Sequence, residues 1–217
     1  MQPLRSVSAP KQARSQATLY RILDAAEALI EEKGLADASV PEIVRRAGSS
    51  VGGFYARFRD KNELLCALEE RFFLDMAVRL DEISRPERWA GASIPEIVGP
   101  CVEELVRTFR ERRALIAACL SRAVWDPEFV EHGLRFRRSV SSRLVALLLA
   151  RRGEIRHPDP ELAIDLVVQL AFGLMHELVI FGEIRAGRRH LVQADLEREL
   201  CRNVLAYLGV PDPRSEA

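Results

Sequence analysis

Apolar residues recur at helical spacing along every long segment of this chain, and no segment shows the alternation that is typical of a β-strand. The first predicted helix runs from about Lys11 to Lys33 and is expected to stop at Gly34. Its buried stripe is expected to comprise Leu19, Ile22, Leu23, Ala26, Leu29 and Ile30. Because the same period continues in the later segments, the sequence predicts an all-α protein of about nine helices.

Two of the predicted helices are very short and follow one another closely. Ser39 can cap the second helix, in which Glu42 completes a capping box. Ser50 can cap a third helix that extends to about Arg57, and the turn between the two contains glycine. Short helices joined in this way are typical of a helix-turn-helix, which is therefore predicted over about residues 39–57.

The later helices also begin at residues that can cap them. These residues are Asp60, Ser93, Asp126 and Asp159, which precede the fourth, fifth, seventh and eighth predicted helices. Pro100 lies within the fifth helix and is expected to kink it or to mark its true start. The sixth helix is predicted at about Ala114 to Ala123, and the ninth at about Asp195 to Leu208.

The predicted domains follow chain order. They are a flexible arm at 1–10, a helix-turn-helix domain at 11–60, a connecting helix at 61–84, a second helical domain at 85–210, and a tail at 211–217.

Charge is balanced over the 217 residues but not along them. The chain has 32 basic and 32 acidic side chains, whereas residues 43–61 are mainly basic. The charged residues of that segment are Arg45, Arg46, Arg57, Arg59 and Lys61, with Asp60 as the one acid. A local basic surface of this kind favours contact with nucleic acid.

Other features argue against metal, redox and membrane functions. Cys66, Cys101, Cys119 and Cys201 are far apart in sequence and form no metal-binding or redox motif, so neither a cofactor nor a metal is expected. The N-terminus lacks the apolar core of a signal peptide. Polar residues interrupt the apolar stretch 162–182, which therefore predicts a buried helix rather than a membrane span. A cytoplasmic protein is expected.

The segment from Gly48 to Leu64, Gly-Ser-Ser-Val-Gly-Gly-Phe-Tyr-Ala-Arg-Phe-Arg-Asp-Lys-Asn-Glu-Leu, resembles the recognition segment of the TetR family of transcriptional regulators. The preceding Ser-x-x-Glu-Ile-Val-x-x-Ala-Gly is similar as well, and the resemblance is specific over residues 11–70. It implies a homodimeric repressor that binds double-stranded operator DNA and is released from it by a small-molecule effector. It also implies that residues 11–60 form a DNA-binding domain and residues 85–210 a ligand-binding and dimerisation domain. Dimerisation is expected through the eighth and ninth helices, with Leu196, Leu200, Val204 and Tyr207 as anchors on the ninth.

The resemblance implies roles for individual residues of the motif. Phosphates of DNA are expected at Ser39, Ser50, Tyr55 and Lys61, and base edges at Arg45, Val51, Gly52 and Gly53. Arg57 is expected to face either a phosphate or a base, while Phe54 and Phe58 are expected in the core. Without side chains, Gly52 and Gly53 would let the helix approach the duplex closely.

Two positions depart from many members of that family. Val51 stands where Lys, Arg or Gln is frequent, and Gly53 stands where Thr or Ser is frequent. Neither can make a polar base contact through its side chain, although Val51 can touch a thymine methyl group. Sequence selectivity is therefore expected from Arg45, from Arg57, from the arm around Arg14, or from DNA shape.

The later helices are very apolar, which is typical of a ligand pocket with few polar groups. Candidate ligand-binding residues are Cys101, Cys119, Trp125, His132, Gln169 and His176. Because no cluster of like charges stands out, a neutral or weakly anionic, mostly apolar effector is expected.

Three other functions are considered. A helical ligand-binding protein without DNA binding and a ligand-dependent activator remain open alternatives. An all-α enzyme is disfavoured because no titratable cluster is visible. Gly48-Ser49-Ser50-Val51-Gly52 fits the G-x-S-x-G pattern of hydrolases, but that motif requires a preceding strand and the sequence predicts a helix there.

Overall fold

The computed structural model describes residues 13–212 and the side chains of residues 15–212. Within that range the chain forms α1 (Ala13–Asp37), α2 (Val40–Arg46), α3 (Val51–Tyr55), α4 (Lys61–Ile83), α5 (Ile94–Glu111), α6 (Arg113–Ala123), α7 (Pro127–Leu149), α8 (Pro160–Phe181) and α9 (Gln193–Leu208). This architecture confirms the predicted all-α class. The predicted arm at 1–10, the side chain of Arg14 and residues 213–217 of the predicted tail lie outside the described residues.

Side-chain caps set where several helices begin, as the sequence predicted. Asp60 accepts hydrogen bonds from the backbone N–H groups of Asn62 and Glu63, at 2.8 and 2.9 Å. Asp126 caps α7 in the same way, and Asp159 accepts the N–H of Leu162 at 3.1 Å to cap α8. Each cap satisfies backbone donors that have no partner within the helix.

Four local features differ from the expectation. The first helix extends to Asp37, although Gly34 interrupts it with φ 85° and ψ 162°. The third helix ends at Tyr55, two residues before Arg57. The fifth helix begins at Ile94 and continues through Pro100, so Pro100 does not mark its start.

The fourth difference is a short hairpin between α8 and α9. Strand β1 (Arg185–Ala186) pairs antiparallel with β2 (Arg189–His190), and Gly187 forms the turn with φ 62°. Two residues per strand are too few to show the alternation from which a strand is predicted.

The described residues divide into two compact units. The first contains residues 13–77 and 112–129, that is α1, α2, α3, most of α4 and α6. Its core lies between α1 and the short helices and includes Leu23, Ile30, Ile43, Phe54, Phe58, Leu64, Leu68 and Leu115. The packing thus adds α6 to the unit that holds the short helices, which chain order does not suggest. The predicted domain bounds remain a prediction.

The second unit contains residues 78–111 and 130–212, in which α5 packs against α8 and α9. Ile94, Ile97, Val106, Ile164, Met175 and Leu178 form part of its core. Helix α8 contains an 18-residue window that is apolar enough to cross a membrane by length and composition, and 44% of that window is buried within the chain. A core helix meets the same criterion, so α8 fits the predicted buried helix in part and leaves one apolar side uncovered.

The ninth helix faces inward with most of its apolar side chains. Leu196, Leu200 and Val204 are all buried within the chain itself. The expectation that they anchor a dimer is wrong for these three residues, because they already complete the core of their own unit. Tyr207 remains partly exposed, with its ring 5.0 Å from that of His157.

Candidate nucleic-acid interface

Helices α2 and α3 are joined by a tight turn whose geometry depends on Gly48. Gly48 adopts φ 58°, a left-handed conformation that glycine tolerates far better than other residues. Ser49 then donates its N–H to the carbonyl of Val44 at 2.8 Å, which closes the end of α2. The helix-turn-helix predicted from the short helices is therefore present, with its glycine in the turn.

Two serines cap the short helices, and both bonds agree with the predicted caps. Ser39 accepts the N–H of Glu42 at 3.4 Å and donates its hydroxyl to the Glu42 carboxylate at 3.0 Å. Ser50 accepts the N–H of Gly53 at 3.0 Å. A cap of this type contributes about 1 kcal/mol to helix stability. Helices of five and seven residues depend on it and on their packing.

Aromatic packing fixes the inner side of α3. Phe54 and Phe58 are fully buried, with ring centroids 5.2 Å apart, which confirms the prediction that both lie in the core. The Tyr55 ring meets that of Phe54 edge to face at 5.3 Å. Tyr55 is nevertheless 55% exposed, so its hydroxyl is available to a partner at the surface.

Among the positions predicted to face base edges, Arg45 has the one charged side chain. The Arg45 side chain is 80% exposed, with only a 4.0 Å contact to the Glu42 carboxylate. Val51 and Gly52 are exposed as well. Their assignment to base edges stays a prediction, and only Arg45 among them can form polar contacts through its side chain.

Gly53 lies close to two serine hydroxyls. A Cβ at this position would lie 2.9 Å from the Ser49 hydroxyl and 3.2 Å from the Ser50 hydroxyl. A side chain would therefore require the Ser49 hydroxyl to rotate away and the Ser50 hydroxyl, which caps α3, to shift slightly. At Gly52 the nearest atom is 4.0 Å away, so a side chain would fit there.

Arg57 is bonded within the chain rather than directed to solvent. Its guanidinium donates to the carbonyl of Gly53 at 2.7 Å, to the carbonyl of Ser15 at 3.2 Å and to the hydroxyl of Ser15 at 2.9 Å. The side chain thus ties α3 to the start of α1. These bonds hold α3 against α1, and the expected contact of Arg57 with a phosphate or a base stays a prediction.

Lys61 is also bonded within the chain. Its Nζ donates to the carbonyls of Leu35 at 2.5 Å and Ala36 at 3.2 Å, at the end of α1. The cation satisfies carbonyls that a helix end leaves without partners. The expected phosphate contact of Lys61 would have to be made beside these two bonds or in their place.

Additional polar contacts between α1 and the motif were not predicted. Arg21 donates through Nε to the carbonyl of Ala47 in the turn, at 3.1 Å. Lys33 pairs with Glu42 at 2.5 Å, and its hydrogen bond, with that of Ser39, holds the pKa of Glu42 below its ordinary value. Several bonds between residues that are distant in sequence therefore fix the motif on α1.

The six candidate ligand-binding residues do not form one group. Cys119 is buried in the first unit, and Trp125, which is 86% exposed, belongs to the same unit. Cys101, His132, Gln169 and His176 belong to the second unit, where Gln169 is exposed. Burial raises the pKa of both the Cys101 and the Cys119 thiol to about 12, so neither is a reactive thiolate.

Among these residues, His176 has the most defined surroundings. Its ring lies 6.0 Å from that of Phe109, which in turn meets Phe172 at 5.9 Å. Burial, together with the positive charge of Arg137, holds the pKa of His176 below its ordinary value. A shallow cleft of about 50 Å³ between α5 and α9, bordered by Gly99, Cys201 and Leu205, contains none of the six candidates and is too small for a drug-sized ligand.

Comparison with known proteins supports the assignment of the motif. Residues 22–68 match the sequence model described as bacterial regulatory proteins, tetR family. Over 61 residues the chain is 44% identical to the uncharacterized HTH-type transcriptional regulator YvdT of Bacillus subtilis. That match covers 28% of this chain and 30% of YvdT, so the chain spans less than a third of its relative.

Solved structures match over nearly the whole chain. A crystal structure described as a TetR-family transcriptional regulator from Mesorhizobium loti has a TM-score of 0.70 and 22% identity, over 91% of this chain and 98% of the other. The complex of SmeT with triclosan has a TM-score of 0.62 and 27% identity, over 91% and 94% of the two chains. Salmonella enterica GusR, at 16% identity and a TM-score of 0.61, shares the fold.

Proposed function

We propose that this chain is a DNA-binding transcriptional regulator of the TetR family, because its residues 22–68 match the sequence model of that family. In this proposal it is a cytoplasmic repressor, and a small, mostly apolar ligand releases it from its operator. The single observation that carries the DNA-binding part is the geometry of α3. Its inner side is fixed by buried aromatic rings, while Val51, Gly52 and Tyr55 point outward.

We assign the DNA contacts as follows. Tyr55 donates its hydroxyl to a phosphate, and the hydroxyls of Ser39 and Ser50, with the Lys61 ammonium, lie at further phosphates. Arg45 reaches a base edge, Val51 touches a thymine methyl group, and Gly52 and Gly53 allow close approach. Arg57 acts as a positioning residue, because its hydrogen bonds are made to Gly53 and Ser15.

We propose that two copies assemble through an exposed stripe on α8, to which Tyr207 of α9 adds. The stripe consists of Leu162, Leu166, Leu170, Ile180 and Phe181, which recur at helical spacing. Ile180 and Phe181 are 63% and 71% exposed, and exposed apolar side chains that share one helix face are typical of an interaction site. A twofold dimer would present two α3 helices to DNA half-sites about 34–36 Å apart.

The ligand-binding part of the proposal rests on the second unit. Its core is apolar, and Phe109, Phe172 and His176 cluster where α5 meets α8. The neighbour SmeT was solved with triclosan, so one protein of similar fold binds a small molecule. We propose that Cys101, His132, Gln169 and His176 belong to the ligand-binding part of this unit. Cys119 and Trp125, which lie in the first unit, are less suited.

The DNA-binding proposal is tested by titrating promoter DNA of the protein's own gene with the purified chain. We expect binding that weakens steeply as salt rises from about 50 to 200 mM, because phosphate contacts release counterions. Tyr55→Phe removes one phosphate contact and is expected to weaken binding to all sequences by about tenfold. Adding Lys61→Ala should weaken it further, with the melting temperature recorded because Lys61 also bonds to α1.

Tyr20→Phe is the matched control, since it removes the same hydroxyl from a half-buried tyrosine of α1 to which no DNA contact is assigned. It should leave DNA binding unchanged. Absence of any DNA shift at low salt would refute the regulator and favour a helical ligand-binding protein. A promoter–reporter assay separates a repressor from a ligand-dependent activator by the sign of the response.

A further inference from the structure

Two arginines join the start of α1 to the helix-turn-helix. The Arg57 guanidinium donates to the Gly53 carbonyl of α3 at 2.7 Å, and to the carbonyl and the hydroxyl of Ser15 at 3.2 and 2.9 Å. Further along α1, Arg21 donates through Nε to the carbonyl of Ala47, the residue that caps the end of α2, at 3.1 Å. The first described turns of α1 therefore lie alongside the motif, in contact with both α3 and the turn.

The Arg21 side chain is exposed and only partly used by the chain. Its Nη2 donates to the hydroxyl of Thr18 at 3.1 Å, in addition to the Nε bond to Ala47. Within residues 15–212, no carboxylate pairs with Arg21. A guanidinium has more N–H donors than these two bonds use, so the others can bind a partner outside the chain. The two bonds also hold the guanidinium at the turn.

The segment that contains Arg21 carries positive charge without negative charge. Residues 1–23 include four basic side chains and neither Asp nor Glu. The nearest acid along α1 is Asp24, which pairs with Arg71 at 2.6 Å. An exposed arginine in an electropositive segment attracts an anion, and closely spaced phosphates make duplex DNA a strongly charged one.

Basic residues of the motif itself are engaged in other ways. Arg57 and Lys61 donate to carbonyls of the chain. Three others each contact a glutamate carboxylate at 4.0 Å or less: Arg45, Arg46 and Arg59. Arg21 differs from all of them, because its guanidinium is exposed beside the turn and no acid of the described chain is in contact with it.

We propose that DNA contacts the start of α1 as well as the motif, and that Arg21 donates to a backbone phosphate next to the one assigned to Ser50. Ala47, to which Arg21 is bonded, lies just before the turn that leads to Ser50. Guanidinium and phosphate match through paired, charge-assisted hydrogen bonds, and such a contact positions the protein on DNA without reading its sequence. This inference rests on the proposed function and adds a second helix to its DNA surface.

The salt dependence of DNA binding tests this contact, with promoter DNA of the protein's own gene and an unrelated duplex as probes. Arg21→Gln removes the charge and keeps an N–H donor for the Ala47 carbonyl. We expect binding to both duplexes to weaken by about tenfold, and the slope of log K against log salt to decrease by about 1. Arg21→Lys should keep the slope and lose less affinity. Weaker binding with an unchanged slope would show that Arg21 only holds the turn, and would overturn the proposal.

Ethylation of single DNA phosphates gives an independent readout, because it removes the negative charge of one phosphate at a time. With the wild-type protein, we expect ethylation of the phosphate at Arg21 to interfere with binding. With Arg21→Gln, interference at that one position should disappear, while interference at the other phosphates remains. The same interference pattern for both proteins would contradict the contact.

Arg113→Gln is the matched control, since Arg113 is an exposed arginine at the start of α6, in the same unit, to which no DNA contact is assigned. Its affinity and slope should equal those of the wild type. An equal decrease of the slope in the control would show that net charge alone sets it, and would also overturn the proposal. Wild-type DNA binding with an unchanged slope in Arg21→Gln refutes this inference alone. Absence of wild-type binding at low salt refutes the proposed regulator, and the contact with it.

Discussion

Arg57 and Lys61 both follow the outward-facing helix α3, and both donate hydrogen bonds to the chain itself. Arg57 bonds to Gly53 and Ser15, and Lys61 bonds to the carbonyls of Leu35 and Ala36. A cation that satisfies main-chain carbonyls is held in one position, so it orients the backbone around it. This use of charge differs from neutralisation of DNA phosphates, and the two can be separated by experiment.

We predict that Arg57→Ala weakens operator binding without changing its dependence on salt. The substitution removes the bonds that fix α3 on α1, so less of the protein holds the binding orientation, whereas the number of phosphates contacted stays the same. A phosphate contact would instead reduce the slope of log K against log salt by about 1. The measurement is DNA affinity at several salt concentrations, with the melting temperature alongside.

Arg57→Lys and Arg59→Ala complete this test. Lysine keeps the charge but cannot reproduce three bonds from one planar group, so Arg57→Lys should lose affinity much as alanine does. Arg59 is exposed and makes only a 3.4 Å contact to Glu63, so Arg59→Ala should leave the protein's stability within about 0.5 kcal/mol of the wild type. Full DNA affinity in Arg57→Lys would instead favour a direct phosphate contact.

At this scale, the sequence predicted bonds between near neighbours and missed those between distant ones. The caps made by Ser39 and Ser50 depend on residues three positions away, which a motif can encode. The partner of Arg57 lies 42 residues earlier, and Ser15 has no feature that identifies it in advance. The same holds for Arg21, whose contact with the Ala47 carbonyl requires the fold to be known.

A carboxylate of α1 attaches helix α6 to the unit that contains the helix-turn-helix. Glu31 of α1 accepts the N–H groups of Ala114 and Leu115 at 2.9 and 2.8 Å, at the start of α6. Burial raises the pKa of Glu31, although the two N–H bonds oppose that shift. A negative carboxylate at a helix N-terminus is stabilised by the helix dipole. The carboxylate thus joins α6 to the unit that holds the helix-turn-helix.

We predict that Glu31→Ala lowers the free energy of unfolding by about 1 kcal/mol, because two backbone donors of α6 lose their acceptor. For a chain of this length that corresponds to a decrease of about 2–4 °C in the melting temperature. Glu32→Ala is the matched control, since Glu32 makes an exposed ion pair with Arg46 at 2.6 Å. An exposed pair contributes little to stability, so a decrease as large in the control would contradict the capping role.

Helix ends were predicted well where a cap or a breaker acts locally, as at Asp60, Asp126 and Asp159. Gly34 and Pro100 were less informative. Each disfavours a helix in isolation, but packing of the surrounding apolar residues stabilises the helix around it. The Glu31 cap could not be predicted, because it joins residues more than eighty positions apart.

At the scale of the molecule, the exposed apolar stripe on α8 is the surface that we expect a second copy of the chain to cover. Leu162, Leu166, Leu170, Ile180 and Phe181 remain exposed although α8 contributes its other side to the core. The sequence showed that α8 is very apolar and predicted a buried helix. It could not show that Leu196, Leu200 and Val204 of α9 pack into their own unit, because the same apolar pattern results whether the chain itself or a second copy covers that face.

We predict that Leu166→Glu with Leu170→Glu converts the dimer to a monomer, because a charge in an apolar interface loses its hydration without gaining a partner. Sedimentation velocity measures the assembly, and DNA titration should show weaker binding because one half-site is lost. Val78→Glu is the control, since Val78 is also exposed but lies on α4 rather than on α8. A monomeric wild-type protein, or a dimer that survives both substitutions, would contradict the proposed interface.

The way in which α3 is held also has a consequence for how operator preference can change. Two of the hydrogen bonds of Arg57 are donated to main-chain carbonyls, which every amino acid has. Gly52 has open space around it. Mutations at positions 51 and 52 can therefore add new base-reading side chains without undoing the attachment of the helix. A library of variants at these two positions should therefore yield proteins that bind different operators and have nearly the same stability.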